Sequence, residues 1–181
     1  LHNMGSIQSP TTPVILSEMA FACTMASAQT NDFRTPGYKG SVSIIDQYGV
    51  WAGLETSHGV MFDRHNYLGA GMSVSVCLPE LGDTPPVFGQ FFVDYHNYLL
   101  DRRSTPVLGV KAGYMTALNE KKATGWNFTK AVFVEPNVGW NWGMKRGCGL
   151  TTSLGAAMFK PVGVSTKDFV VMPKLSLTFE F

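Results

Sequence analysis

From Tyr38 onward, apolar side chains recur at every second position, the period that sends successive residues to opposite faces of a β-strand. Asn66 to Leu78 carries the rule most clearly. Leu68, Ala70, Met72, Val74, Val76 and Leu78 fall on one face, and Gly69, Gly71, Ser73, Ser75 and Cys77 on the other. The closing segment repeats it, with Phe169, Val171, Pro173, Leu175, Leu177, Phe179 and Phe181 opposed to Lys174, Ser176, Thr178 and Glu180. The same phasing extends to Tyr38–Ile44, Val50–Phe62, Val87–Leu99, Val107–Tyr114, the stretch from Val132 to Trp142, and Leu150–Met158, so the chain is expected to form eight strands. His58 is the exception, a polar residue on the apolar side of its strand.

Alternation alone does not say which face is enclosed, because a soluble barrel and a membrane barrel share the pattern with opposite orientations. The polar face here is made mostly of Gly and Ser. Its charged residues are Lys39, Lys111 and Lys174 with Glu55, Asp94, Glu135 and Glu180, a set able to pair within a closed interior. A water-facing surface would carry about a quarter or more charged residues. Aromatic residues gather at strand ends (Tyr38, Trp51, Phe62, Tyr67, Tyr95, Tyr98, Trp140, Trp142, Phe179, Phe181), where an interfacial girdle is expected. The connections Phe62–Asn66, Asp101–Thr105 and Gly143–Gly147 are short. Pro79–Pro86, Met115–Asn127 and Lys160–Asp168 are longer, the usual asymmetry of such barrels, with the first hairpin around Gln47–Gly49 an exception. The expected fold is an all-β, eight-stranded, antiparallel up-and-down transmembrane barrel over residues 36–181.

Residues 1–35 differ in character from the rest of the chain. The moderately apolar run Pro13–Ala28 ends in Ala26-Ser27-Ala28, a small-x-small pattern that a signal peptidase could cut before Gln29, although Glu18 interrupts it and no basic residue precedes it. The segment reads as a signal-peptide-like leader or an N-terminal extension. A net charge of +1, with 15% charged residues, indicates no nucleic-acid partner. No run of about 18 apolar residues is present, which leaves strands as the only means of crossing a bilayer. Cys23, Cys77 and Cys148 have no metal-ligand spacing, and the barrel reading puts Cys77 and Cys148 at opposite ends of the wall as thiols. No metal or cofactor is expected.

With these segments in place, the sequence resembles the small outer-membrane β-barrel proteins of the OmpA/OmpX-like kind common in Bacteroidetes. The resemblance rests on Gly37-Tyr38-Lys39-Gly40, Thr56-Ser57-His58-Gly59, Tyr67-Leu68-Gly69-Ala70-Gly71 and the final Phe181. It spans about Gly37 to Phe181 and implies localisation in the bacterial outer membrane, with its lipids as partners. It also implies that Phe181 serves as the signal for barrel-assembly machinery. No agreed activity comes with it.

An interior filled by side chains excludes a diffusion pore. Asp94 and His96 share a face and form the candidate catalytic pair, a base with its orienting carboxylate. Ser73, Ser75 or Ser153 would be the nucleophile. The competing reading is a satisfied interior network of Lys39, Glu55, Asp94, His96, Lys111, Glu135, Lys174 and Glu180. Arg102, Arg103, Lys145 and Arg146 fall on short turns, as solvated charges or contacts to headgroups. The expected function is a non-enzymatic envelope protein, structural or presenting loops to extracellular partners, with 115–127 as the contact region. Alternatives are an outer-membrane lipid-modifying enzyme and a soluble lipocalin-like barrel with an apolar ligand.

Overall fold

The computed structural model describes residues 34–78, 85–119, 129–144, 147–163 and 169–181. The leader-like segment with its cleavage pattern and Cys23, the greater part of the 115–127 loop, and Lys145 and Arg146 lie outside these residues. Eight strands follow one another: β1 (Gly37–Gln47), β2 (Trp51–Met61), β3 (Asn66–Cys77), β4 (Val87–Tyr98), β5 (Ser104–Ala117), β6 (Lys130–Gly143), β7 (Gly149–Pro161) and β8 (Val170–Glu180). Each pairs antiparallel with the next, and β1 pairs with β8, which closes the sheet into a barrel without edges. The strands are 11 to 14 residues long, enough to cross a hydrocarbon layer at a tilt.

Turn chemistry fixes the ends. β1 and β2 are joined by Tyr48, Gly49 and Val50, the first two left-handed at φ 58° and 65°, with the Asp46 carboxylate accepting from Gly49 N at 2.9 Å. Between β2 and β3, Asp63 Oδ1 accepts from the backbone N–H of His65 and Asn66, both at 2.7 Å. The turns β2–β3, β4–β5 and β6–β7 lie at one end of the barrel, here called the lower end. The strand ends that the longer connections join lie at the opposite, upper end, with the β1–β2 turn. Cys77 is at the upper end and Cys148 at the lower.

The orientation is inverted relative to a soluble protein. Ile44 and Leu54 are each 62% exposed, and Leu68, Met72, Val74, Phe91, Val93, Val138, Leu154, Val171, Leu175 and Leu177 join them on the outer surface. Glu55, Asp94, Lys111, Glu135 and Lys174 are buried inside.

Several expectations need correction. The lumen is not uniformly polar: Trp51, Phe88, Phe92, Met115, Phe133 and Phe159 fill its upper part with an apolar plug. Trp51 therefore belongs to the core, stacked on Phe88 at 4.9 Å, and not to a girdle. Tyr67 and Tyr98 are also buried inside, beside Met61 and Val107. Odd and even positions of one strand face opposite ways, so an aromatic at a strand end can fill the lumen as readily as the interface. The outward aromatics Tyr38, Phe62, Tyr95, Trp140 and Trp142 gather near the lower end.

Met115 and Ala117 are not loop residues: the β5 ladder continues through Thr116↔Lys130, and both side chains are buried. Thr105 likewise belongs to β5, Gly143 to β6 and Lys160 to β7.

Candidate functional site

The polar part of the lumen divides into groups set by register. On β4, β5 and β6, Asp94, Lys111 and Glu135 stand directly opposite one another, so a cation lies between two acids on one inner face. Glu55 reaches across from β2 and takes Lys111 on one carboxylate oxygen and Lys174 of β8 on the other, the latter at 2.9 Å. Lys174 also meets Glu135 at 2.7 Å. Two lysines and two glutamates thus tie four strands across the barrel. In a low-dielectric interior such charges persist only when each has partners.

A second group sits lower. Lys39 Nζ lies 2.7 Å from Glu180 and donates to the Tyr98 hydroxyl at 2.8 Å. Glu180 also accepts from Tyr98 at 3.1 Å, from Asn141 at 3.0 Å and from Thr151 at 2.6 Å. Asn141 in turn donates to Thr151 at 2.8 Å. Arg34, just before β1, closes this end by donating to the carbonyls of Leu100, at 2.8 Å, and Arg102. Its guanidinium stands 5.0 Å from the centre of the Tyr98 ring. Burial lowers the Arg34 pKa from its ordinary value, against the opposing pull of Tyr98, Glu180 and Asp101.

The third group holds the candidate catalytic pair. His96 Nε2 is 3.0 Å from Asp94 Oδ1, and its ring stacks on Tyr67 at 5.7 Å. Ser57 bonds the Tyr67 hydroxyl at 2.9 Å and also meets Asp94. The candidate serines are elsewhere. Asp94 stands opposite Gly69, four residues along β3 from Ser73 and six from Ser75, or about 13 and 20 Å of strand. Ser153 faces Ser176 on the β7–β8 side, 2.6 Å from its hydroxyl. The fold does not bring the proposed nucleophiles to His96, so no Ser–His–Asp relay is assembled from them. Ser57, which the sequence pattern did not single out, is the hydroxyl that joins this pair.

Two other histidines are satisfied locally. His58, the misfit on the outer face, bonds Tyr38 Oη at 2.6 Å and Thr56 Oγ1 at 3.0 Å. His65 Nδ1 bonds the Tyr98 carbonyl at 2.6 Å. On the turns, Arg103 donates to the Gly143 carbonyl at 2.6 Å, and Arg64 and Asp101 form an exposed ion pair at 3.4 Å. Asp63 is held below the usual carboxylate range by the Asn66 side chain and by the two backbone N–H groups it caps. Phe181 continues the β1–β8 ladder by exchanging backbone bonds with Gly40 at 2.8 and 2.9 Å. Among the described residues, no group of three His, Cys, Asp or Glu side chains is arranged to hold a metal ion.

No family model matches the chain, and no curated protein does. Among solved structures it is similar to the N-terminal β-barrel domain of Pseudomonas aeruginosa OprF, with TM-score 0.53 and 9% identity over 81% of this chain and 98% of that one. The outer membrane protein OprG of the same organism gives 0.45 and 10% identity, over 84% and 99% of the two chains. Ail, the attachment invasion locus protein of Yersinia pestis, gives 0.40 and 10% identity, over 81% and 97%. The OprF likeness is one of fold: a closed, eight-stranded antiparallel barrel.

Proposed function

We propose that this chain is a bacterial outer-membrane β-barrel protein without enzymatic activity, which serves the envelope structurally or presents its upper connections to partners. The carrying observation is the inverted wall. A monomeric soluble protein rarely exposes a contiguous apolar patch of more than a few hundred Å², whereas here Ile44, Leu54, Met72, Val93, Leu154 and Leu175 project outward from strand after strand. Hydrocarbon is the solvent that such a belt fits. The likeness to OmpA/OmpX-like barrels of Bacteroidetes, carried by the short motifs at 37–40, 56–59 and 67–71, agrees with this reading. Outer-membrane lipids and barrel-assembly machinery acting on the β8 terminus at Phe181 would be its partners.

The lumen argues against transport and against a lipocalin-like role. Trp51, Phe88 and Phe159 block its upper part, and the Glu55–Lys111–Lys174–Glu135 cluster crosses its middle. Fractionation of cells expressing the full chain tests the proposal. The expected result is recovery in the outer membrane, resistance to urea extraction, and a gel mobility that changes on boiling. A chain that is soluble and monodisperse without detergent would overturn it.

A further inference from the structure

One patch of the outer wall differs from the convex belt around it. On β6 and β7, the outward residues Val132, Val134, Met158 and Lys160, together with Phe169 ahead of β8, line a groove of about 390 Å³ that also touches Phe133, a residue 3% exposed. The groove is lined almost entirely by carbon, and Lys160 brings the one charge. Register shows how it is placed. Val132 stands opposite Lys160 and Val134 opposite Met158, and the β6–β7 ladder then skips Glu135 and Pro136 before resuming at Asn137↔Gly155. Pro136 has no N–H to give to the ladder, and the proline of β8, Pro173, faces Ala156 from the other side. Small or truncated side chains thus lie just below the groove.

Lys160 lies two residues above Met158 on the same face, about 7 Å toward the upper end. Its ammonium stands 5.7 Å from the centre of the Phe169 ring, which sets the cation at the groove's rim. Lys130, two residues above Val132 on β6, is exposed on the same side. An apolar groove in the outer wall, with the Lys160 ammonium at its upper rim, has the chemistry of an anionic amphiphile's complement.

We propose that this groove binds an anionic membrane lipid, with an acyl chain along Val132, Val134, Met158 and Phe169 and the headgroup phosphate paired with Lys160. The site rests on the membrane reading proposed for the chain and adds a ligand class to it. A lysine near a membrane surface contributes about 1 kcal/mol toward an anionic headgroup, or roughly five-fold in affinity.

The test is native mass spectrometry of the full chain in a neutral detergent, titrated with phosphatidylglycerol or phosphatidylcholine of identical chains. The expected result is about five-fold tighter retention of phosphatidylglycerol, falling to near parity in Lys160→Gln. Val134→Trp, which fills the groove, should weaken retention of both lipids. Equal retention by the unaltered chain, or a preference unchanged in Lys160→Gln, would overturn the site. So would a dimer in light scattering that Val134→Trp splits, since the groove's occupant would then be a second copy. These outcomes differ from failure of the membrane reading, which would show as a chain that needs no detergent at all.

Discussion

Lys174 Nζ lies 2.9 Å from Glu55 Oε2, joining β8 to β2 across the lumen although the two residues are 119 positions apart. Lys174 also pairs with Glu135, so its removal takes from that buried carboxylate its close ion-pair partner and leaves Lys111, opposite it on β5, shared among three acids. Lys174→Met is expected to cost about 3–5 kcal/mol, the usual penalty of breaking a buried pair. Adding Glu135→Gln should restore a large part of that. Urea unfolding in detergent, followed by tryptophan fluorescence, measures both. Additive losses in the double variant would show that the two groups are not coupled.

Much of this arrangement is legible in the chain, and the remainder is not for a physical reason. Period-2 alternation places residues on faces, which is why the segment from Leu68 to Leu78 and the β8 series can be phased. Alternation carries no information about partners: Lys111 and Glu55 meet across 56 positions through strand order and closure. It also leaves open what fills an inner face. Phe133 sits at an inward position between the outward Val132 and Val134, and Phe88 and Phe159 follow Val87 and Met158 in the same way, so these stretches look apolar on both sides, and the upper plug leaves no signature in the pattern. Ser57 is invisible as a partner of Tyr67 and Asp94 for the same reason.

Gly40 has no side chain, and that absence seats the Phe181 ring. A Cβ placed there would stand 2.6 Å from Phe181 Cε2. Gly40→Ala should therefore displace the ring and destabilise the β1–β8 seam by about 1–3 kcal/mol, the range for overpacking. Phe181→Ala in the same molecule should relieve most of the added penalty. A double-mutant cycle on thermal unfolding in detergent checks it. A coupling near zero would mean that the ring does not press on Gly40.

The Asp63 carboxylate predicts an acid-side effect at the lower turn. Its folded pKa is depressed by the Asn66 side chain, 2.8 Å away, and by the N–H groups of His65 and Asn66. A depressed acid contributes stability that is present above its unfolded pKa, about 3.9, and lost as pH falls through the lower folded value. The unfolding midpoint of the wild-type chain should thus fall more steeply than that of Asp63→Asn as pH drops below about 4. Parallel curves would exclude the turn as the source.

Asp94 and His96 are expected to act on structure and not on substrate. Their contact, with Ser57 and Tyr67 around it, lies inside the lumen. Purified protein in detergent micelles should hydrolyse phospholipid no faster than a micelle blank, and Asp94→Ala should leave that rate unchanged. Asp94→Ala should instead lower the unfolding midpoint, because Lys111 loses its neighbour on β4. Ester cleavage above blank that disappears in both Asp94→Ala and His96→Ala, with the fold retained, would establish the lipid-modifying enzyme instead.

Two substitutions at opposite faces separate an inverted barrel from an ordinary one. Trp51 is 0% exposed and packs between Phe88 and Phe159, at ring distances of 4.9 and 6.0 Å. Met72, near the middle of β3, is 53% exposed on the outer wall. Trp51→Ala should lose about 3–5 kcal/mol through the cavity it opens, whatever surrounds the barrel. Met72→Arg opens no cavity and breaks no internal contact, so its cost depends on what surrounds the wall. In a bilayer, an arginine at midplane costs about 2–4 kcal/mol; were that wall in contact with water, the change would be close to neutral. Denaturant unfolding from lipid vesicles should therefore register both variants. A Met72→Arg chain as stable in vesicles as the parent would place that side of β3 away from hydrocarbon and remove the basis for a membrane-spanning wall.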